Sequence, residues 1–239
     1  RTGFENNIPR REVILGFRKP SVYISVKEDT LLAMGYAEYV PGGLTDSYLA
    51  LWPYRDTSFR HMIPVFKSDS SGHTISENGL LRGRTSFWRA AGKLMKVDLE
   101  EKVLLWEKEF PREMLTSRLL WQDGMIYYAG EDAFLYAVDG EKGQVLWKAP
   151  ISGTPGKVHA CNGLLFLVGG SDGFLYVVNK GNGEVVKTWR PKTGNTPDEY
   201  GLSRMSWAGD DRLLVLYNGK WYLMNVPNAN AFPDSLPLP

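Results

Sequence analysis

Apolar residues come in short blocks along this chain, each closed by a polar or glycine-bearing turn signal. Phe134-Leu135-Tyr136-Ala137-Val138 stops at Asp139-Gly140, and Leu164-Leu165-Phe166-Leu167-Val168 stops at Gly169-Gly170. Blocks of this length, rich in aromatic and β-branched residues, predict strands. No long window keeps a helical period. Five blocks open on a polar pair: Asp29-Thr30, Asn78-Gly79, Asp123-Gly124, Asn162-Gly163 and Asp211-Arg212. Asn-Gly and Asp-Gly favour a type I′ hairpin, because both central residues take positive φ there.

The blocks repeat. Phe134-Leu135-Tyr136 returns as Phe174-Leu175-Tyr176, and Trp147 returns as Trp189. Asp98 and Trp106 precede Asp139 and Trp147 by 41 residues each. Gly219-Lys220-Trp221-Tyr222-Leu223-Met224-Asn225 matches residues 173–179, and Asp46 to Trp52 begins an upstream copy. Five copies result, each with four strand-length segments. Four short antiparallel strands in roughly 40–50 residues describe one blade of a β-propeller.

The expected fold is therefore all-β: a five-bladed β-propeller of four-stranded antiparallel blades. The blades span about 20–67, 72–110, 115–150, 155–190 and 202–226, within a single domain over 1–228. First strands are expected near 22–26, 73–77, 117–121, 156–160 and 203–207. The last blade shows three strands. Glu12-Val13-Ile14-Leu15-Gly16-Phe17-Arg18 resembles the outer strands Gln144 to Lys148 and Glu184 to Lys187. Residues 11–18 are thus expected to supply the missing strand and close the ring, which removes its open edges. The alternative is a five-repeat part of a larger propeller. Residues 229–239 form a Pro-rich tail, a linker, strap or docking segment.

Composition agrees with a globular β protein. The chain has 239 residues, 43% hydrophobic and 13% aromatic, with 25 glycines. The formal net charge is +1, so no basic excess points to nucleic acid. No apolar run approaches the roughly 20 residues of a membrane-spanning helix. The single cysteine, Cys161, excludes an internal disulfide framework. The chain starts at Arg1, so the sequence is expected to be a processed or excised piece.

Phe134-Leu135-Tyr136-Ala137-Val138-Asp139 followed by Gly143-Gln144-Val145-Leu146-Trp147 resembles the repeat of PQQ-like (quinoprotein alcohol dehydrogenase-like) β-propellers, and residues 173–189 resemble a second copy. The resemblance implies that Leu-Tyr and Val pairs pack between sheets, that the Asp or Asn and the Gly make a tight turn, and that the Trp caps the outer strand. It covers about 115–190 well. Members include quinone-dependent dehydrogenases, outer-membrane assembly scaffolds and extracytoplasmic sensors. The dehydrogenase branch is similar to a ring about twice this size, with adjacent cysteines and a calcium site. One cysteine does not fit it.

A glycosidase needs two carboxylates roughly 5–9.5 Å apart across the scissile bond. The expected first strands hold no mid-strand acid, and Asp29, Glu77 and Asp123 fall at turns. His159 and Cys161 share one strand face, which fits a small buried hydrophobe better than a metal ligand or nucleophile. No catalytic residue, metal or cofactor is assigned. Six residues before the second turn residue lie His73, Arg118 and Lys157; a loop two residues longer brings Arg204 into line. Four basic positions on one face would attract an anionic small molecule or partner loop. Two apparent hairpin insertions carry Tyr36, Tyr39, Phe87, Trp88 and Arg89, residue types enriched in binding hot spots.

The expected function is a non-catalytic binding or scaffold propeller. It presents its ring face and aromatic inserts to a protein partner, outside the cytoplasm by family resemblance. The alternative is a ligand-sensing or enzymatic propeller with an anionic or carbohydrate site at the channel mouth. Neither nucleic acid nor a membrane span is expected.

Overall fold

The computed structural model describes residues 17–18, 25–27, 31–40, 44–52, 61–69, 80–90, 92–110, 117–153, 155–170, 172–189, 202–207, 212–217 and 220–225. Regular structure among them is entirely β-strand, and no helix of these residues is long and apolar enough to cross a membrane. The chain divides into two compact units, Arg1–Glu109 and Phe110–Pro239.

The first unit carries two antiparallel sheets. In one, β2 (Ser25–Lys27), β3 (Leu31–Val40), β4 (Leu44–Trp52) and β5 (His61–Asp69) pair in sequence, and β1 (Phe17–Arg18) adds to β3. In the other, β6 (Leu80–Arg82), β7 (Thr85–Ala90), β8 (Lys93–Asp98) and β9 (Val103–Glu109) pair in order. The second unit carries three. β10 (Leu120–Gln122) to β13 (Val145–Pro150), through β11 (Met125–Ala129) and β12 (Phe134–Asp139), form one four-stranded sheet. β14 (His159–Cys161), β15 (Leu164–Val168), β16 (Leu175–Asn179) and β17 (Val185–Trp189) form the next. β18 (Leu202–Trp207), β19 (Arg212–Tyr217) and β20 (Lys220–Asn225) form a three-stranded sheet.

One register recurs. The first residue of the second strand faces the Asp or Asn that ends the third: Thr85 with Asp98, Met125 with Asp139, Leu164 with Asn179, Arg212 with Asn225. Asp98, Asp139 and Asn179 then cap the following turns. Asp139 Oδ1 accepts from Glu141 N at 2.8 Å and Lys142 N at 2.9 Å; Asn179 Oδ1 accepts from Gly181 N at 2.8 Å; Asp98 Oδ1 accepts from Glu100 N at 2.9 Å. Such Asx turns compete well with continued strand because the short side chain satisfies the local amides. The Asp123-Gly124 and Asn162-Gly163 hairpins have positive φ at both central residues, as type I′ turns require.

Period-two alternation lets the strands of the second unit bury both faces. Tyr127, Ala129, Leu135 and Ala137 of one sheet cluster with Leu165, Leu167 and Val178 of the next. The opposite face of that sheet, Leu164, Phe166, Leu175 and Val177, clusters with Leu213 and Val215 of the three-stranded sheet. Three sheets therefore stack face to face.

Four expectations are corrected. The second sheet turns at Gly83-Arg84, not at Asn78-Gly79, because Thr85 pairs with both Arg82 and Asp98. Its first strand is Leu80–Arg82, later than the expected 73–77. Residues 86–90 are no insertion: Thr85–Ala90 is the regular second strand. Of the stretch expected to close the last sheet, Phe17 and Arg18 instead pair with Glu38 and Ala37 of β3. The ten-residue β3 outruns the three-residue β2, and β1 fills the edge left beyond it. Residues 11–16 lie outside the described residues.

Candidate functional site

The first strand of each sheet in the second unit begins near a basic residue. Leu120, His159 and Ser206 hold one register position, facing Tyr127, Phe166 and Leu214. Two residues earlier stand Arg118, Lys157 and Arg204. Arg204 itself pairs with Leu216, across a strand end that Ala129 and Val168 occupy in the other two sheets. Arg118 and Lys157 are exposed. The three sheets are neighbours through the clusters just described, so the three cations repeat from sheet to sheet in one register. His73, the fourth basic residue expected in this row, lies outside the described residues.

Directly beside this row, His159 is buried and its Nε2 has no hydrogen-bond partner. Burial lowers its pKa to about 4, the nearby Lys157 adds to the fall, and a hydrogen bond to the Met205 backbone opposes it. The ring is neutral at physiological pH and belongs to the packing between two sheets. Cys161 is partly buried and packs against the same cluster, as a small hydrophobe would.

The carboxylates nearby have structural work. Asp172 Oδ1 accepts from Phe174 N at 3.0 Å, and its Oδ2 accepts the Tyr176 hydroxyl at 2.5 Å. Asp132 does the same for Phe134 N and the Tyr136 hydroxyl. Burial first and the adjacent carboxylate second push Tyr176 up to about 12. Both phenols therefore stay protonated and act as donors. Asp123 meets Lys180 Nζ at 2.6 Å on the surface. Among the described residues, no three His, Cys, Asp or Glu side chains gather to hold a metal ion.

The aromatic patch is corrected. Phe87 and Trp88 are 0% exposed and Arg89 is 5% exposed, so these three are interior residues rather than partner contacts. Phe87 packs at 6.0 Å from Trp106, with the Lys96 ammonium 5.7 Å from its ring centre. Tyr36 and Tyr39 lie in β3, in register with Tyr48 and Thr45. The side chains of these two lie outside what the structure describes.

Sequence reasoning missed what Trp147 does. Its Nε1 donates to the Lys180 carbonyl at 3.2 Å, in the turn of the neighbouring sheet. Its ring lies over Gly183, where an added Cβ would come within 2.6 Å of it. The signal was the shared spacing of Trp147 and Gly183 from their repeat aspartate or asparagine.

A family model described as outer membrane protein assembly factor BamB matches residues 65–213, more than half of the chain. The chain belongs to this BamB family. Its sheets are blades of a PQQ-like β-propeller. BamB from Moraxella catarrhalis superposes with a TM-score of 0.51 at 14% identity, over 86% of this chain and 73% of that one. The computationally designed Ika8 protein gives 0.53 at 10% identity, over 86% and 70%. A chain of the mitotic checkpoint complex gives 0.53 at 10% identity, over 85% and 61%. These likenesses show the fold alone. No curated protein matches the chain.

Proposed function

We propose that this BamB-family propeller is a non-catalytic scaffold that acts outside the cytoplasm and binds an acidic segment of a protein partner. The observation that carries the reading is the basic row at Arg118, Lys157 and Arg204. Three cations in one register on adjacent blades form a field that the net charge of +1 conceals. Membership in the family of the outer membrane protein assembly factor BamB supports a protein partner and an extracytoplasmic setting. The clamped aspartates support a non-catalytic role, because each oxygen in use already serves a turn or a tyrosine.

The same row also favours a second reading, a sensor for a small anion. Titration calorimetry with a ten-residue poly-glutamate peptide and with citrate separates the two. The scaffold reading expects the peptide to bind at least tenfold more tightly than citrate, and Arg118→Glu with Lys157→Glu to abolish that binding. Tighter binding of citrate would reject it in favour of the sensor. Peptide binding that survives both substitutions would remove the row from either role.

A further inference from the structure

His159 breaks the repeat at a position where a polar ring is costly. Leu120 and Ser206 hold the same place in the neighbouring sheets, so the blade itself does not call for an imidazole there. The residue is 8% exposed, yet its Nε2 has no hydrogen-bond partner among the described residues. A buried polar atom left unpaired costs more than an ordinary hydrogen bond returns. The ring is nonetheless held, by a hydrogen bond to the Met205 backbone. With Nε2 unbonded, Nδ1–H donates and the Met205 carbonyl accepts, which fixes the tautomer whose Nε2 carries a lone pair. A metal-ligating histidine is prepared in the same way: one ring nitrogen is kept for the ion, and the other N–H is given to a backbone carbonyl or a carboxylate.

Two sulfur atoms share the interface with this lone pair. His159 faces Phe166 and Cys161 faces Leu164, so both lie on the side of β14 that looks toward the three-stranded sheet. Met205 faces Val215 and comes from that sheet. Cys161 and Met205 pack against one apolar cluster. Along the strands His159 falls between them. Met205 stands one residue away, at the level of Val158, and Cys161 stands two residues away, roughly 6.6 Å. All three residues, and every residue of the cluster, belong to the second compact unit.

We infer that His159 Nε2, the Cys161 thiolate and the Met205 thioether form a binding site for a soft monovalent cation, copper(I). The donor set selects the metal. Thiolate and thioether sulfur suit copper(I), whereas calcium, magnesium and manganese take oxygen ligands. Zinc takes four ligands from Cys, His and carboxylates, and among the described residues no group of three such side chains gathers. The charge of Lys157 already acts on His159. It opposes a divalent ion more than a monovalent one whose charge the thiolate cancels. On binding, the Cys161 thiol releases its proton to solvent and the copper keeps its oxidation state.

Competition for copper(I) against bicinchoninate, with the full-length chain under argon and ascorbate, tests this. The natural chain is expected to withdraw one equivalent of copper(I) from the chelator. Cys161→Ala and Met205→Leu both keep an apolar side chain in the interface, and each is expected to weaken that binding at least tenfold. A natural chain that withdraws no copper would overturn the proposal. So would a Cys161→Ala chain that binds as the natural one does, since the copper would then sit elsewhere. Unchanged affinity in Met205→Leu would reduce the site to an ordinary thiol and overturn it as well. A second measurement needs no variant. X-ray absorption at the copper edge of the loaded natural chain is expected to show two sulfur neighbours and one imidazole nitrogen. Copper surrounded by sulfur alone, or by nitrogen and oxygen alone, would reject the site.

Discussion

Lys102 occupies a backbone site that glycine holds in the neighbouring repeats. It stands four residues after Asp98 with φ of 57°, where Gly143 and Gly183 follow Asp139 and Asn179 with φ of 67° and 75°. A left-handed conformation costs a residue with a Cβ about 1–2 kcal/mol, and glycine repays part of that gain through about 0.5–1 kcal/mol of extra chain entropy. Lys102→Gly is therefore expected to stabilise the chain by up to about 1 kcal/mol, read as a higher urea midpoint at unchanged slope. A lower midpoint would mean that the lysine side chain outweighs the backbone strain. His159 gives a pH dependence whose sign follows from its lowered pKa. The unfolded chain binds a proton near pH 6.5, while the folded chain resists it until about 4. Stability is then complete above pH 6.5 and falls as the pH drops toward 4. The loss is on the order of 1 kcal/mol by pH 5, allowing for partial solvent access of the ring. His159→Gln should flatten the melting temperature over that interval, and a slope as steep as that of the natural chain would assign the dependence to other groups.

Strands in this protein are joined by what their ends carry, and the Trp147 contact shows the cost of disturbing one end. Gly183→Ala forces a Cβ against the Trp147 ring at 2.6 Å and into positive φ. It is expected to destabilise by more than about 2 kcal/mol. Trp147→Phe keeps a ring there and loses the bond to the Lys180 carbonyl, about 1 kcal/mol. In the double variant the two losses should fall short of additive, because Phe leaves space for the new methyl. Full additivity in denaturant titrations would place the strain at Gly183 in the backbone alone. The same end groups decided what was legible in the sequence. Asp139, Asn179 and Trp147 recur at spacings near 40 because each serves a local turn or strand end, so the repeat and the β class could be read directly. The true turn at Gly83-Arg84 could not. Asn78-Gly79 is the stronger local signal, and only the distant pairing of Thr85 with Asp98 overrides it. Phe87, Trp88 and Arg89 looked like an inserted loop because a strand buried on both faces shows no alternation. Arg118, Lys157 and Arg204 were counted back from the hairpin, a local quantity once the longer loop before Arg212 is allowed for.

Charge acts on the molecule through its placement rather than its total. The chain balances 28 basic against 27 acidic residues, so its mean field is close to zero and offers no long-range steering. If the row of Arg118, Lys157 and Arg204 supplies the attraction for an acidic partner, the effect must follow those sites and not the formal charge. Replacing all three with Ala takes the net charge from +1 to −2. Replacing the exposed Lys108, Lys142 and Lys148 with Ala takes it to the same −2. The two triple variants thus differ only in where the charge was lost. Association with the poly-glutamate probe should slow at least tenfold in the first and stay within about twofold of the natural chain in the second. Raising the salt from 0.05 to 0.5 M should erase the difference, because the Debye length shrinks to a few ångströms. Equal slowing in both variants would show that only the overall charge matters, and the shared register of the three cations would then reflect repetition of the blade alone.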